Sequence, residues 1–341
     1  MLDYQAKAIN SVRNYALKNT KHQAVAEDFC KPFGVDVFEL IDRVLLNPVT
    51  INFHPDRFSN NGKTIIENLI AQGQYHGQFR TGTTNGGRSA HPGGDRFLWE
   101  QRIFFDSYPT DAIERPKYGA LNLFRYIDGA SMRFGSCFFS LKHNVIKRCT
   151  FAYGDSSANP ETLCTNDTFI GIIAALFDEF TSKGDQSVTS NAEVLAILLN
   201  KGRGLTDLGR NLDYCIEAHV HGDIHLDKDI EIFYVDGSFK NTLIGEQAET
   251  LCKKYGIVLR WIPERRIDLD TIGNLFRGPK IPVIAERIDS LFGKQGFINA
   301  ELIGRASRDC SLHPEAWEDI GSEPELFQYL KQLWHMVGYF G

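Results

Sequence analysis

The chain has 341 residues, 43% of them hydrophobic and 23% charged, a globular composition with room for one large domain or two smaller ones. Its longest apolar run, FIGIIAALF from Phe169 to Phe177, is far short of the roughly 20 residues a membrane helix needs, and the opening MLDYQAKAINSVRNYALKN lacks a signal peptide's unbroken apolar stretch, so a cytoplasmic protein is expected. The net charge of −6 is uneven: residues 1–150 hold 19 Lys and Arg against 14 Asp and Glu, a balance of +5 that leaves −11 for the rest, and the basic half either attracts a phosphate-bearing partner or only solvates a surface.

Residues 4–46 read as helical, with Ala6, Ile9, Val12 and Ala16 at helical spacing and VDVFELIDRVLL (35–46) as a second helix. Pro48 ends that pattern, and VTINFH (49–54) alternates like a strand. KTIIENLIA (63–71) puts Ile66, Leu69 and Ile70 on one helical face, with Gly73 as the stop. A glycine-rich loop follows from Gly73 to Gly94; it contains no GxxxxGK[ST] phosphate-binding pattern, and a loop of that length is usually functional or disordered.

The middle of the chain is β-rich, with YGALNLF (118–124), RFGSCFFSLK (133–142) and RCTFAYGDS (148–156) as short aromatic strands. Helices are expected over DTFIGIIAALFDEFTS (167–182) and EVLAILLN (193–200), then a strand in DYCIEAHVHGDIHL (213–226), further strands in EIFYVD and IVLRWI, and a mostly helical tail from Pro282. The order predicts an α+β fold: a mixed or antiparallel β core with N-terminal, inserted and C-terminal helices. The divisions are an N-terminal helical segment (1–47), a catalytic α+β domain (48–270) and a C-terminal helical segment packed on it (271–341).

Seven cysteines form an odd set with no CxxC pair, which points to buried free thiols in a reducing compartment rather than disulfides or thiolate zinc. The densest group of reactive side chains is EAHVHGDIH (217–225). On a strand, Cys215, Glu217, His219 and His221 share one face, while Tyr214, Ile216, Ala218 and Val220 share the other. INFHPDRF (51–58) ends a strand at His54, where an imidazole can hold ribose hydroxyls and Arg57 can meet a phosphate; Asp56 can instead cap the following backbone. In MRFGSCFFSLK (132–142), Gly135 permits close backbone approach and Ser136 offers a hydroxyl.

A strand-end His, a small or aromatic residue on a middle strand and a Glu on a late strand resemble the ADP-ribosyltransferase superfamily, whose first motif is followed by a helix ending in Gly, as in HPDR…IIENLIAQG. The segments INFHPDR, RFGSCFFSLK, CTFAYGDS, GRNLDYCIEAHVHGDI and LKQLWHMVGYFG also resemble an uncharacterised bacterial family of unknown function, over about residues 50–341. The first resemblance implies an ADP-ribosyltransferase-type core and NAD as substrate. Glu217 would stabilise the oxocarbenium-like ribose, His219 would orient or deprotonate the acceptor, and His54 would hold the adenosine-side ribose. Ser136 beside Gly135, or a neighbouring aromatic, would position nicotinamide, Arg57 would meet a phosphate, and Tyr75, Arg80 and Thr81 would close over the dinucleotide. The chain departs from the pattern in having no Ser-Thr-Ser triplet, and no Tyr within 132–142. The acceptor expected is a macromolecule, RNA, DNA or protein, with a free small molecule left open, and the family analogy extends to a toxin of a bacterial defence system with a neutralising partner.

Two alternatives come from other classes. A metal-dependent hydrolase would use His219, His221 and His225, with Asp223 and the His54/Asp56 pair as further ligands. A non-catalytic module would hold a nucleotide without turning it over.

Overall fold

The computed structural model describes residues 1–19, 21–82, 89–183, 191–199 and 209–341. Local chemistry sets the element ends. Helices α1 (Asp3–Ala16) and α2 (Lys21–Cys30) precede α3 (Val37–Leu45), whose free N–H groups at Phe38 and Glu39 donate to Asp36 Oδ1 at 2.9 Å. Strand β1 (Val49–Phe53) follows Pro48. Helix α4 (Ile65–Gln72) opens on a capping box in which the Thr64 N–H donates to Glu67 Oε2 at 2.7 Å and the Glu67 N–H donates to Thr64 Oγ1 at 3.3 Å. It closes at Gly73, whose φ of 68° suits a residue without a side chain.

The expected loop 73–94 contains β2 (Gln74–Tyr75) and the one-turn helix α5 (Gln78–Thr81), while residues 83–88 lie outside the described residues. In chain order there follow α6 (Asp95–Ile103), β3 (Lys117–Leu121), β4 (Cys137–Leu141), β5 (Cys149–Tyr153), β6 (Leu163–Thr165), α7 (Ile170–Lys183) and α8 (Asn191–Leu198). Then come β7 (Ile216–Val220), β8 (Ile224–His225), α9 (Leu226–Asp229), β9 (Ile230–Asp236), α10 (Leu243–Tyr255), β10 (Val258–Ile262) and β11 (Arg266–Asp268). The described chain closes with α11 (Lys280–Ile288), β12 (Phe297–Asn299), α12 (Ala300–Leu312) and α13 (Glu323–Phe340).

The fold is α+β, built on a mixed eight-stranded sheet in the order β10-β9-β4-β1-β3-β7-β5-β6. Strands β9 and β10 run parallel and the other neighbours antiparallel. Two small ribbons, β2 with β8 and β11 with β12, tie the loop after α4 and the C-terminal helices to this frame. Among the described residues no helix is long and apolar enough to cross a membrane. All seven cysteines are free, and all but Cys215 are fully buried.

Antiparallel register puts opposite residues on the same face, and the strand period of two carries that assignment along each strand. Thr50 opposes Ala120, Ala120 opposes Glu217, and Glu217 opposes Ala152, while Tyr118 opposes His219 and His219 opposes Thr150. One face therefore gathers Thr50, Asn52, Tyr118, Thr150, Glu217 and His219. The other gathers Ile51, Phe53, Phe139, Phe151, Ile216, Ala218, Val220 and Phe233, which form the centre of the main hydrophobic core. The polar face is covered too. Ala8 and Val12 of α1 pack with Ile103, Phe104, Tyr108, Ala152 and Leu163. Of the stripe Ala6, Ile9, Val12 and Ala16, helix α1 buries Val12 fully, and Gln5 and Ala8 complete its buried face, because the helix is turned to meet Ala152 and Leu163.

Candidate functional site

A cavity of about 670 Å³ lies against the polar face of the sheet. Its lining includes Asn52 and His54 from the end of β1, Tyr118 of β3 and Glu217 of β7. Arg96 and Trp99 of α6 and Lys331 and His335 of α13 add further walls. Pockets for small ligands run from about 300 to 1,000 Å³, and this one falls inside that range.

Glu217 is 6% exposed and opens on the cavity. Behind it runs a continuous buried hydrogen-bonded chain. His219 Nε2 lies 2.7 Å from Glu217 Oε1, Thr150 Oγ1 lies 3.0 Å from both His219 Nδ1 and His221 Nε2, and the Tyr108 hydroxyl lies 2.6 Å from His221 Nδ1. One consistent assignment of donors satisfies every link. Tyr108 O–H donates to His221 Nδ1, His221 Nε2–H to Thr150, the Thr150 hydroxyl to His219 Nδ1, and His219 Nε2–H to Glu217 Oε1. Burial, then the neighbouring His219, Lys117 and Arg148, keeps His221 well below the ordinary histidine pKa, as a neutral imidazole in that chain requires. Burial raises the Tyr108 phenol, so it stays protonated and donates.

The same geometry accounts for the histidines of the metal reading. The ring nitrogens of His219 and His221 are committed to Glu217, Thr150 and Tyr108. His225 lies on β8, paired with Gln74, and Asp223 is half-exposed beside Lys117 Nζ at 3.9 Å. Among the described residues no three His, Cys, Asp or Glu side chains group to hold a metal ion.

The strand between those of His54 and Glu217 is β3, which brings Tyr118 to the cavity together with Lys117 and Gly119. Segment 135–141 lies on the other side of β1, where β4 pairs with it. Gly135 packs so tightly there that a Cβ would fall 2.1–2.3 Å from the Phe53 backbone. Ser136 is buried outside the cavity lining, with its Oγ 3.3 Å from His54 Nδ1. His54 itself packs edge-on against Trp334, ring centroids 5.3 Å apart, and burial, then Arg57 and His335, keeps it neutral.

Arg57 also lies outside the lining. It pairs with the buried Asp56 at 3.6 Å and donates to the Ile303 carbonyl at 3.4 Å, and Arg308 reaches Asp56 at 3.4 Å from α12. Asp56 therefore anchors the C-terminal helices instead of capping its own turn. Tyr75, Arg80 and Thr81 do line the cavity. Tyr75 stands edge-on to Phe53 and Phe139, Arg80 pairs with Glu114 at 2.5 Å, and the Thr81 hydroxyl donates to the Gly77 carbonyl at 3.3 Å.

Two features escape sequence reading. Arg96 lies over the Tyr118 ring at 4.0 Å, fixed by Glu100 Oε1 at 3.1 Å and Gln78 Oε1 at 2.5 Å, while Arg115 holds the other Glu100 oxygen at 3.0 Å. Lys331 and His335, one turn apart on α13, bring a second set of basic groups to the cavity. The i,i+4 spacing in LKQLWHMV is visible in the sequence, but nothing local says which strands that helix covers.

The family model described as "Protein of unknown function (DUF3626)" matches residues 48–340, and the chain belongs to that family. No curated protein matches it.

Proposed function

Of this DUF3626 member we propose that it cleaves NAD at the nicotinamide–ribose bond and transfers ADP-ribose to a macromolecular acceptor. The observation that carries this reading is the alignment of His54, Tyr118 and Glu217 on three adjacent strands, all lining one cavity. That order matches the superfamily pattern of a strand-end His, a small or aromatic middle residue and a late Glu, with Tyr118 supplying the middle group. A core of ADP-ribosyltransferase type is part of the same proposal.

The chemistry needs an anion beneath a sugar carbon that becomes positive. Glu217, held by His219, places a carboxyl group at the cavity surface, in a setting of low dielectric, and the scheme uses it as the anion. As the C–N bond breaks, its electron pair leaves with nicotinamide as a neutral molecule, and the ribose takes on oxocarbenium character that Glu217 stabilises. An acceptor N–H or O–H then bonds to that carbon, and its proton passes to solvent. The flat phenol of Tyr118, backed by Arg96, offers a stacking wall for nicotinamide. His54, neutral and buried, offers a hydrogen bond to a ribose hydroxyl. His219 acts through Glu217 in this scheme, since its ring nitrogens are both engaged.

The test is incubation of the purified protein with labelled NAD and cell lysate. Label entering protein or nucleic acid, or nicotinamide release alone, supports NAD cleavage. Glu217→Gln should lower turnover by about 10²–10³ with NAD binding retained, because the carboxylate acts mainly in the transition state. Unchanged turnover in that variant ends the assignment. NAD binding with no cleavage in either protein favours the non-catalytic module.

A further inference from the structure

The basic groups at the α13 wall of the cavity are not used by the scheme above. Lys331 and His335 project from one face of α13, a helix whose rotation is set by Trp334 donating Nε1–H to the Met132 carbonyl at 2.8 Å. Arg277 joins them from the segment before α11, and Arg133 from the segment before β4. Arg133 is engaged by Asp155 and Asp213. Arg277 and Lys331 have no ion-pair partner among the described residues. The pole remains net positive by one when both aspartates are counted against its three cations.

His335 makes the cluster more than a solvated surface. It is 6% exposed, it lines the cavity, and both of its ring nitrogens are buried without a hydrogen-bond partner. Buried polar atoms are nearly always paired, so an imidazole empty on both sides marks a place where a partner is missing. Arg277 holds φ at 64°, a conformation that non-glycine residues rarely adopt and that clusters at ligand sites. Burial first, then the neighbouring cations, lowers the pKa of both His335 and Lys331, with Asp213 acting the other way on both and Asp155 on Lys331. A bound anion relieves all three conditions together.

We propose that Arg277, Lys331 and His335 form a phosphate-binding subsite for a small-molecule ligand of the cavity. The chemistry favours phosphate over carboxylate. A guanidinium, an ammonium and an imidazole approach from two separate segments, and a phosphoryl group offers three acceptor oxygens to such a set where a carboxylate offers two. The subsite does not require the ligand to be a dinucleotide. Under the preceding reading, the phosphate is the NAD diphosphate.

Inorganic pyrophosphate is the probe, titrated calorimetrically into the full chain at low ionic strength. The wild type should bind it. Arg277→Gln and Lys331→Gln should each weaken binding by about tenfold to a hundredfold, the loss expected for a hydrogen bond to a charged group. Neither side chain is part of the hydrophobic core, and circular dichroism verifies that each variant is folded. Lys331→Arg should retain binding, which separates charge recognition from helix packing. No binding by the wild type, or equal binding by wild type and both glutamine variants, overturns the subsite. Binding of a single-stranded oligonucleotide without binding of pyrophosphate overturns it as well. Pyrophosphate binding with the expected variant losses, alongside absent NAD cleavage, upholds the subsite and sinks the transferase reading alone.

Discussion

Thr150 is the residue on which the polar chain behind Glu217 turns, and its replacement by Val tests that chain directly. The side chain is fully buried, and its hydroxyl both donates to His219 Nδ1 and accepts from His221 Nε2, each at 3.0 Å. Valine keeps the β-branched shape that suits strand β5 and removes only the polar atom. Two buried groups then lose their partners. At about 1–3 kcal/mol for each unsatisfied buried group, the loss is about 2–6 kcal/mol against a typical stability of 5–15. Thr150→Ser keeps the hydroxyl and loses one methyl group, so it should cost only about 1 kcal/mol. Urea unfolding followed by circular dichroism reads both values from the midpoint and slope. The activity readout is separate: with His219 free to choose its tautomer, the pH profile of turnover should change in Thr150→Val and stay in place in Thr150→Ser. If Thr150→Val unfolds within about 0.5 kcal/mol of wild type, a margin typical of substitutions away from any special feature, the two hydrogen bonds are not holding the imidazoles and the assignment of donors along the chain is wrong.

Gly135→Ala should prevent folding or cost more than about 3 kcal/mol, because the new Cβ meets Phe53 backbone atoms at 2.1–2.3 Å and β1 cannot yield; soluble yield and urea midpoint measure it. Glu100→Leu should destabilise by about 3–5 kcal/mol, since it removes the carboxylate from the buried guanidinium of Arg115 and from Arg96 above Tyr118, and a urea midpoint measures the loss. His335 supplies a pH dependence. Burial first, then Arg277, Lys331 and Arg133, lowers its folded pKa to about 3, below the ordinary 6.5. The unfolded chain therefore binds a proton before the folded one does, and stability falls as pH drops from 6.5 toward 3, by up to about 1.4 kcal/mol per unit. Urea midpoints between pH 7 and 4 should show a shallower slope for His335→Gln, and an unchanged slope contradicts the burial argument.

Local signals were legible and long-range ones were not. Thr64, Glu67 and Gly73 announce the start and stop of α4, because capping depends on residues three positions apart and on one backbone angle. The alternation in CIEAHVH announces a strand with a reactive face, and Glu217 does reach the cavity. The sequence could not say that this face is itself buried, since Phe104 and Tyr108, which cover His219 and His221, come from a segment more than a hundred residues earlier. Tyr118 escapes local pattern for the same reason. YGALNLF reads as a strand, but its place between β1 and β7 is a matter of pairing across the sheet, which local pattern does not encode. Arg57 looks like a phosphate ligand beside His54 until Asp56 and α12 claim it. Tyr75, Arg80 and Thr81 reach the cavity because β2 pairs with β8, with Gln74 opposite His225 and Tyr75 opposite Ile224, a link between two short segments with no shared motif.

A buried row of Tyr108, His221, Thr150 and His219 is a weak way to stabilise a sheet, since apolar side chains of similar size would fill the same space without any desolvation penalty. The row has a direction, however. Each member donates toward Glu217, and the last acceptor is the one group in the row that opens on the cavity. A carboxylate placed there alone would be free to rotate. Held by His219, whose other ring nitrogen is bonded to Thr150, it keeps its orientation before any ligand arrives. Under the NAD cleavage proposed above, preorganisation of that kind serves a step in which positive charge develops above the carboxylate. On that proposal Glu217, at the end of the line of polar residues across β5 and β7, is the side chain whose replacement most directly divides catalysis from binding.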